Sequence, residues 1–311
     1  MRILIIDDMH ESIMPLLEEV GFHVDYRPDI TRPEIEKIVG AYEGLIIRSK
    51  TPMDKPLLEK ASKLKFIGRA GAGLDKIDLD YIQEIGVKLF HAPEGNRDAV
   101  GEHAIGMLLA LFNHFAKADK EVRNGIWDRE GNRGEELKGK TVGVFGYGNM
   151  GRSFAKKLKG FEVNVLAYDK YKEDYGDEFA QEASFEEIQE KADVLSIHVP
   201  LTPETRDFFS VEVLMAFKKP FYLINTARGE VISFDTLNKV LSNGKLKGAL
   251  LDVLENEKLA TLTEDQKKSF EALCERGDVI FSPHIAGWTF QSYEKINQVL
   301  VGKIQRAFPT K

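Results

Sequence analysis

A chain of 311 residues is long enough for two domains, each with its own core, and a composition of 43% apolar and 30% charged residues excludes disorder. A formal net charge of −7, with no block of lysine and arginine to neutralise a run of phosphates, argues against a nucleic-acid partner. The single cysteine, Cys274, excludes intramolecular disulfides and cysteine-based zinc sites and suits a reducing compartment, most simply the cytoplasm.

In chain order, the segment from Met1 to Asp8 reads as a strand closed by carboxylates and lacks the features of a signal peptide. Further strands are predicted at residues 23–26, 44–47, 66–68 and 87–90, after a first at 3–6. An apolar segment at 100–123 follows, too short in its longest run to span a bilayer, and its apolar circumference predicts a helix buried between domains or between subunits. A second strand series is predicted at 142–145, 163–168, 194–199, 221–225, 248–251 and 279–282. Capping boxes are expected at Thr31 with Glu34, Ser184 with Glu187, and Thr263 with Gln266. Residues 291–308 read as a last helix returning to the first domain. Alternating strands and helices predict an α/β protein with two parallel sheets: residues 1–98 plus 289–311 as one discontinuous substrate domain, and 99–288 as a nucleotide-binding domain.

The second series opens on the most informative motif. The run Thr141-Val-Gly-Val-Phe leads into Gly146-Tyr-Gly148-Asn149-Met150-Gly151, a helix-forming segment follows, and the next strand ends on Asp169. Gly146 permits the tight turn, Gly148 lets the backbone approach a pyrophosphate at the helix N-terminus, and Gly151 lets the helix lie close on the sheet. Asp169 is placed to bind both ribose hydroxyls and to repel a 2′-phosphate, so NAD is the expected cofactor, though Lys170 and Lys172 follow closely.

Three further sites put polar residues at predicted strand ends, where open α/β sheets bind ligands: Asn225-Thr-Ala-Arg228-Gly-Glu230, Asp252-Val-Leu-Glu255-Asn-Glu257, and Ser282-Pro-His284-Ile-Ala-Gly287. With the glycine motif and the segment from His198 to Arg206, they resemble the D-isomer-specific 2-hydroxyacid dehydrogenase family over nearly the whole chain. Within that family, the segments Leu45-Ile-Ile-Arg48-Ser-Lys-Thr and Ile67-Gly-Arg69-Ala-Gly-Ala-Gly-Leu-Asp75 most resemble the phosphoglycerate dehydrogenases. The resemblance implies a Rossmann NAD-binding domain and a flavodoxin-like substrate domain. It implies a catalytic set of Arg228, Glu257 and His284, with Asp252 on the nicotinamide amide. Around the cofactor it adds Val199, Pro200, Thr205, Thr226, Ala227 and Gly287 to the glycine motif. Around the substrate it implies Ser49, the Ala70-Gly71-Ala72-Gly73 loop and Asn96. It further implies that Arg129 reaches a neighbouring subunit's site, and a place in serine biosynthesis; the homodimer itself is expected from the apolar surface of the helix Val100–Phe115 and the segment after it, through Trp127.

The chemistry of these residue types agrees. A histidine serves as base for hydroxy-acid oxidation and as acid for the reverse, a carboxylate beside it raises its pKa, and an arginine offers a planar fork for the substrate carboxylate. Taken singly, His284, Glu257 and Arg228 also suit a capped strand end, a surface ion pair and a structural salt bridge. Arg48 and Arg69 exceed what one carboxylate needs and suggest a second anion, a phosphate; their alternative is pairing with Asp54 or Asp75. The expected reaction is 3-phospho-D-glycerate to 3-phosphohydroxypyruvate. The alternatives are a glycerate or hydroxypyruvate reductase, a D-lactate dehydrogenase, or a non-catalytic NAD-sensing protein like the corepressors of this fold.

Departures from the family pattern stand out: Lys258 after Glu257 where proline is usual, with a longer acidic-basic segment Leu259–Gly277 before the strand to His284, Lys76 where asparagine is frequent, and Gly101 for alanine before Glu102. The first leaves Glu255 open as the histidine partner. An end at Lys311 leaves no room for a regulatory domain, so control by serine is not expected. The other histidines, His10, His23, His91, His103, His114 and His198, show no metal-ligand spacing and read as structural, with His198 near the cofactor; no membrane or metal is expected.

Overall fold

All strand pairings in both sheets are parallel, and the central strands are buried on both faces, which is why they read as unbroken apolar runs such as Gly44–Ile47. The computed structural model describes residues 1–309. It divides into two units, Met1–Arg97 with the C-terminal segment from Trp288, and Asp98–Gly287.

The first unit holds β1 (Arg2–Ile5), β2 (His23–Tyr26), β3 (Gly44–Ile47), β4 (Phe66–Arg69) and β5 (Lys88–His91), in the order β2-β1-β3-β4-β5. That is the flavodoxin-like order. The helix Phe290–Ala307 covers one face, its Ile296, Leu300, Val301 and Ile304 packing with Ile3, Ile5 and Phe66.

The second unit holds β6 (Thr141–Phe145), β7 (Asn164–Tyr168), β8 (Gln181–Glu182), β9 (Val194–Ile197), β10 (Phe221–Asn225), β11 (Leu246–Leu251) and β12 (Val279–Phe281), in the order β12-β11-β10-β9-β6-β7-β8. This is the Rossmann order, with β6 at the switch point where the winding reverses. The expected fold class is therefore borne out.

Local departures have physical reasons. The 100–123 segment is two helices, Pro93–Phe112 and Phe115–Arg123, because His114 turns the backbone left-handed at φ 52°. The first is covered within its own unit: Ala104, Met107, Leu108, Leu111 and Phe112 join the core with Val142, Val194, Ile224 and Leu250. The capping boxes at Thr31 and Thr263 form, but that at Ser184 is half made. Ser184 accepts from the Glu187 N–H at 3.1 Å, while the Glu187 carboxylate turns to Lys191 at 2.6 Å. The edge strand β8 has only two exposed residues, too few to leave a pattern.

Candidate functional site

The glycine turn follows β6, and each glycine has its own reason. Gly146 has φ 97°, and a Cβ there would lie 2.7 Å from the His198 carbonyl oxygen. At Gly151 a Cβ would lie 2.1 Å from the Gly146 carbonyl oxygen, so only glycine lets the helix Asn149–Leu158 start against the turn. Gly148 differs: a Cβ there would meet nothing within 4 Å. Protein packing does not demand that glycine, whereas a phosphate seated on the helix N-terminus does.

Asp169 stands just beyond β7. Its carboxylate accepts the N–H of Tyr147, from the glycine turn, at 3.0 Å and that of Tyr171 at 3.1 Å, so the turn and the acidic strand end are fixed to each other. Both nearby lysines are engaged: Lys170 pairs with Glu204 at 2.8 Å, and Lys172 donates to the Tyr147 carbonyl and lies 3.8 Å from Asp169. In the 199–205 loop, Val199 packs on the core and Thr205 Oγ1 donates to the Pro200 carbonyl at 2.7 Å. His198, beside the turn, donates to or accepts from Ser196 Oγ at 2.8 Å, and burial pushes its ring pKa down to about 3, so it is neutral.

Beyond β10, the wholly buried Asn225 shapes the loop: its side chain accepts the Ala227 N–H at 3.1 Å and donates to the Arg228 carbonyl at 2.9 Å. Arg228 Nη1 donates to the Ala227 carbonyl at 2.6 Å. Gly229 is forced, since a Cβ there would overlap the Leu254 carbonyl at 1.9 Å; this close approach packs the β10 loop on the β11 loop. Thr226 Oγ1 is a buried oxygen without a hydrogen-bond partner, a polar atom that suits a ligand donor.

The β11 and β12 loops supply an acid–base pair. His284 Nδ1 lies 2.8 Å from Glu257 Oε1, both half-exposed. The Glu257 hydrogen bond raises the His284 pKa, against desolvation and the opposing charge of Arg228. Glu255 is committed elsewhere: it accepts the Phe234 N–H and the Gln266 side chain, each at 2.8 Å. Asp252 is buried at 1% exposure and accepts from Ser282 Oγ at 2.6 Å, the Ile285 N–H at 2.8 Å and the Ala286 N–H at 2.9 Å. Its observed work is to brace the loop on both sides of His284, whose own backbone is left-handed at φ 55°. Sequence reasoning missed Asn225 and Ser282 as organisers; a polar residue closing a buried strand was the available signal.

The first unit presents the two other arginines. The Arg48 guanidinium lies over the rings of Trp288 (4.4 Å) and Tyr293 (5.0 Å), and Nη1 donates to the Asp8 carbonyl at 3.3 Å. Asp54 belongs to Arg32 at 2.6 Å, so the Arg48–Asp54 pairing is excluded. Arg69 Nη1 donates to the Ala70 carbonyl at 2.9 Å, and Gly71, at φ 139°, leaves room for that guanidinium, which a Cβ would overlap. Ala72 holds His91 through its carbonyl at 2.9 Å, Lys76 donates to the Ser49 carbonyl at 2.6 Å, and Asn96 Oδ1 is buried without a partner. Lys76 thus ties the residue 70–76 loop to the Arg48 loop, a role that fits the departure noted at that position.

A glycine turn at the switch point, an acidic second strand end, and open space beside Gly148 define a dinucleotide-binding α/β protein. The sequence model of the D-isomer specific 2-hydroxyacid dehydrogenase NAD binding domain matches residues 105–286. The chain belongs to that family, and NAD is the cofactor its second unit is built to hold. It is 37% identical to D-3-phosphoglycerate dehydrogenase of Methanocaldococcus jannaschii over 82% of this chain and 49% of that protein. It is 33% identical to hydroxypyruvate reductase of Thermotoga maritima over 88% of each chain. A D-lactate dehydrogenase from Aquifex aeolicus, solved with NAD and lactic acid, superposes with a TM-score of 0.82 at 28% identity, covering 99% of this chain and 95% of that one. The chain spans about half the length of the first curated relatives it matches, 49% and 56%. Among the described residues no helix is long and apolar enough to cross a membrane.

Proposed function

We propose that this chain is an NAD-dependent dehydrogenase of D-2-hydroxy acids, working in the cytoplasm as a homodimer, with 3-phospho-D-glycerate as substrate and 3-phosphohydroxypyruvate as product. The observation that carries the reading is the 2.8 Å pair of His284 with Glu257, at a strand end beside the Arg228 loop in the nucleotide-binding unit. With Nδ1 held by Glu257, Nε2 of His284 takes the C2 hydroxyl proton in oxidation and returns it in reduction. Glu257 stabilises the imidazolium formed in between and keeps the ring oriented. Arg228 binds the substrate carboxylate, which fixes C2 relative to the imidazole. When bound, NAD would supply the hydride acceptor; Gly148 and the helix start would hold its pyrophosphate, Asp169 its ribose, and Thr226 and Asp252 would serve its nicotinamide. Lys170 and Lys172, the two lysines that follow Asp169, are both engaged with other groups, which supports NAD over NADP.

The phosphate is assigned to Arg48 and Arg69, with Ser49, residues 70–73 and Asn96 as further substrate contacts of the first unit. Arg48 supports this because, among the described residues, its guanidinium meets two ring faces and a carbonyl, which leaves N–H donors for an anion. A second reading, reduction of hydroxypyruvate, draws support from the likeness to the Thermotoga maritima protein over 88% of each chain. Initial rates of NADH formation or consumption across phosphorylated and unphosphorylated 2-hydroxy and 2-keto acids decide between them. Higher kcat/KM for 3-phosphoglycerate and 3-phosphohydroxypyruvate is the expected result, and preference for hydroxypyruvate overturns it.

A further inference from the structure

Sequence reading leaves His103 among the structural histidines, and the proposed reaction does not use it. It lies in the helix Pro93–Phe112, within the second unit, and about a quarter of its side chain is exposed. Its Nε2 is 2.9 Å from Ser282 Oγ. Ser282 Oγ in turn lies 2.6 Å from Asp252 Oδ1, and since a carboxylate only accepts, the serine proton must point to Asp252. The serine oxygen is then an acceptor toward His103, so Nε2 must carry hydrogen. The three groups form a chain with one direction: His103 Nε2–H to Ser282 Oγ–H to Asp252. The helix also meets Ser282 one turn later, where Met107 Sδ lies 3.6 Å from Oγ.

The far end of that chain is the loop that carries His284. Asp252 accepts from Ser282, two residues before His284, and from Ile285 and Ala286, the two residues after it. The Asp252 carbonyl also accepts the His284 N–H itself at 2.7 Å. This bracing holds a left-handed histidine, a conformation that disfavours a β-carbon and relaxes unless its surroundings hold it. A buried carboxylate with one donor removed is itself costly, so loss of the serine bond propagates to the two amides that share the carboxylate.

We propose that His103 is a positioning residue for the acid–base histidine: by donating to Ser282 it fixes the serine hydroxyl on Asp252, and through Asp252 it holds the loop that aims His284. The idea rests on the reading of His284 as the proton-transfer group, and its structural half can be tested without that reading. Asp252 is the charged group at the end of the network, and His103 Nε2 also lies 3.6 Å from its Oδ1; Glu257, Arg228 and Asp252 are the charged groups that act on His284.

The test compares His103→Gln, which keeps a side-chain N–H donor, with His103→Phe, which keeps bulk and loses the donor. Amide hydrogen exchange at Ile285 and Ala286 reads the loop, and steady-state kinetics with NAD and the best substrate of the panel read the aim of His284. His103→Phe should speed exchange at both amides and lower kcat about tenfold with KM little changed, as expected for one lost hydrogen bond in a polar network. His103→Gln should restore both. If His103→Phe folds poorly, Ser282→Ala removes the middle of the chain and should give the same two changes. Unchanged exchange in both donor-deleted variants overturns the proposal, and so does a glutamine variant as impaired as the phenylalanine one. Faster exchange with an unchanged kcat rejects the coupling to His284. Failure of the site reading shows separately, as turnover surviving in His284→Ala.

Discussion

At the scale of single residues, the partner of His284 shows what sequence can and cannot supply. Residue types and strand-end placement point to His284 and Arg228, and the family resemblance favours Glu257 with Glu255 as the fallback; long-range contacts separate the two, since Glu255 accepts the Phe234 N–H and bonds Gln266 while Glu257 lies beside the imidazole. Asp252 was legible as a functional position, yet its engagement with Ser282, Ile285 and Ala286 lies some thirty residues away in sequence. His284→Ala should lower turnover by about a hundredfold to ten-thousandfold while NAD affinity, followed by fluorescence titration, stays near that of the parent. The Glu257 bond raises the His284 pKa, so imidazolium persists to higher pH than for an ordinary histidine. Oxidation needs the neutral ring and gains rate as pH rises through that pKa. Glu257→Gln should therefore move the acidic limb of the oxidation profile to lower pH, and a limb that stays put would remove Glu257 from this role. Arg48→Ala and Arg69→Ala should each weaken kcat/KM for 3-phosphoglycerate by about tenfold to hundredfold, the loss of one charge-assisted contact. The ratio to an unphosphorylated analogue such as hydroxypyruvate is the quantity to follow, because an arginine that only supports the fold lowers both equally.

At the scale of elements, legibility followed locality. The β6 turn was readable because the glycine spacing, the helix start and Asp169 all lie on one short stretch, and each glycine answers to a neighbour or an opening that the motif implies. The break at His114 was not, since apolar residues continue past it to Phe115 and Val122 and only the backbone turns. The segment after Arg123 sends Leu137 into the core and is held there by charge as well. Glu135 accepts from the Tyr222 hydroxyl at 2.8 Å and from Lys140 at 2.9 Å, and it pairs with Lys247, joining this segment to β10 and β11. Desolvation opposes ionisation of Glu135, but the Lys247, Lys140 and Tyr222 bonds outweigh it and hold its pKa at about 2. Because the folded value is depressed, this stabilisation is complete above the unfolded carboxylate value near 4.3 and fades as pH falls toward 2. After allowance for a side chain about one-third open to solvent, Glu135→Gln should cost about 1–2 kcal/mol in urea unfolding at pH 7. The cost should shrink as the pH approaches 3; a loss that does not depend on pH would mean that packing, not charge, holds this segment.

At the scale of the whole molecule, the open apolar surface bears on assembly. Sequence reading places the interface on the helix from Val100 and on the segment after it through Trp127; the helix proves to be Pro93–Phe112, and its apolar residues are covered by β6, β9, β10 and β11 of the same unit. The apolar surface that remains open lies just beyond, on Phe115 (59% exposed), Val122 (54%), Ile126 (51%) and Trp127 (79%). Four large side chains on one helix and the turn after it form more apolar surface than scattered single residues, and such patches mark association sites. A two-fold interface is self-complementary, so one copy of this patch can cover another and close the assembly at two chains. Trp127, as a large and mostly open aromatic, is the expected anchor. Light scattering at micromolar concentration should give the mass of a dimer, and Trp127→Asp should weaken association by about thirtyfold or more, the effect of losing roughly 2 kcal/mol at an interface anchor. Trp127 is fully outside the second unit's core, so the variant should unfold at the same temperature once both proteins are monomeric. A parent chain that scatters as a monomer at that concentration defeats the dimer, and a Trp127→Asp chain that stays dimeric moves the interface elsewhere.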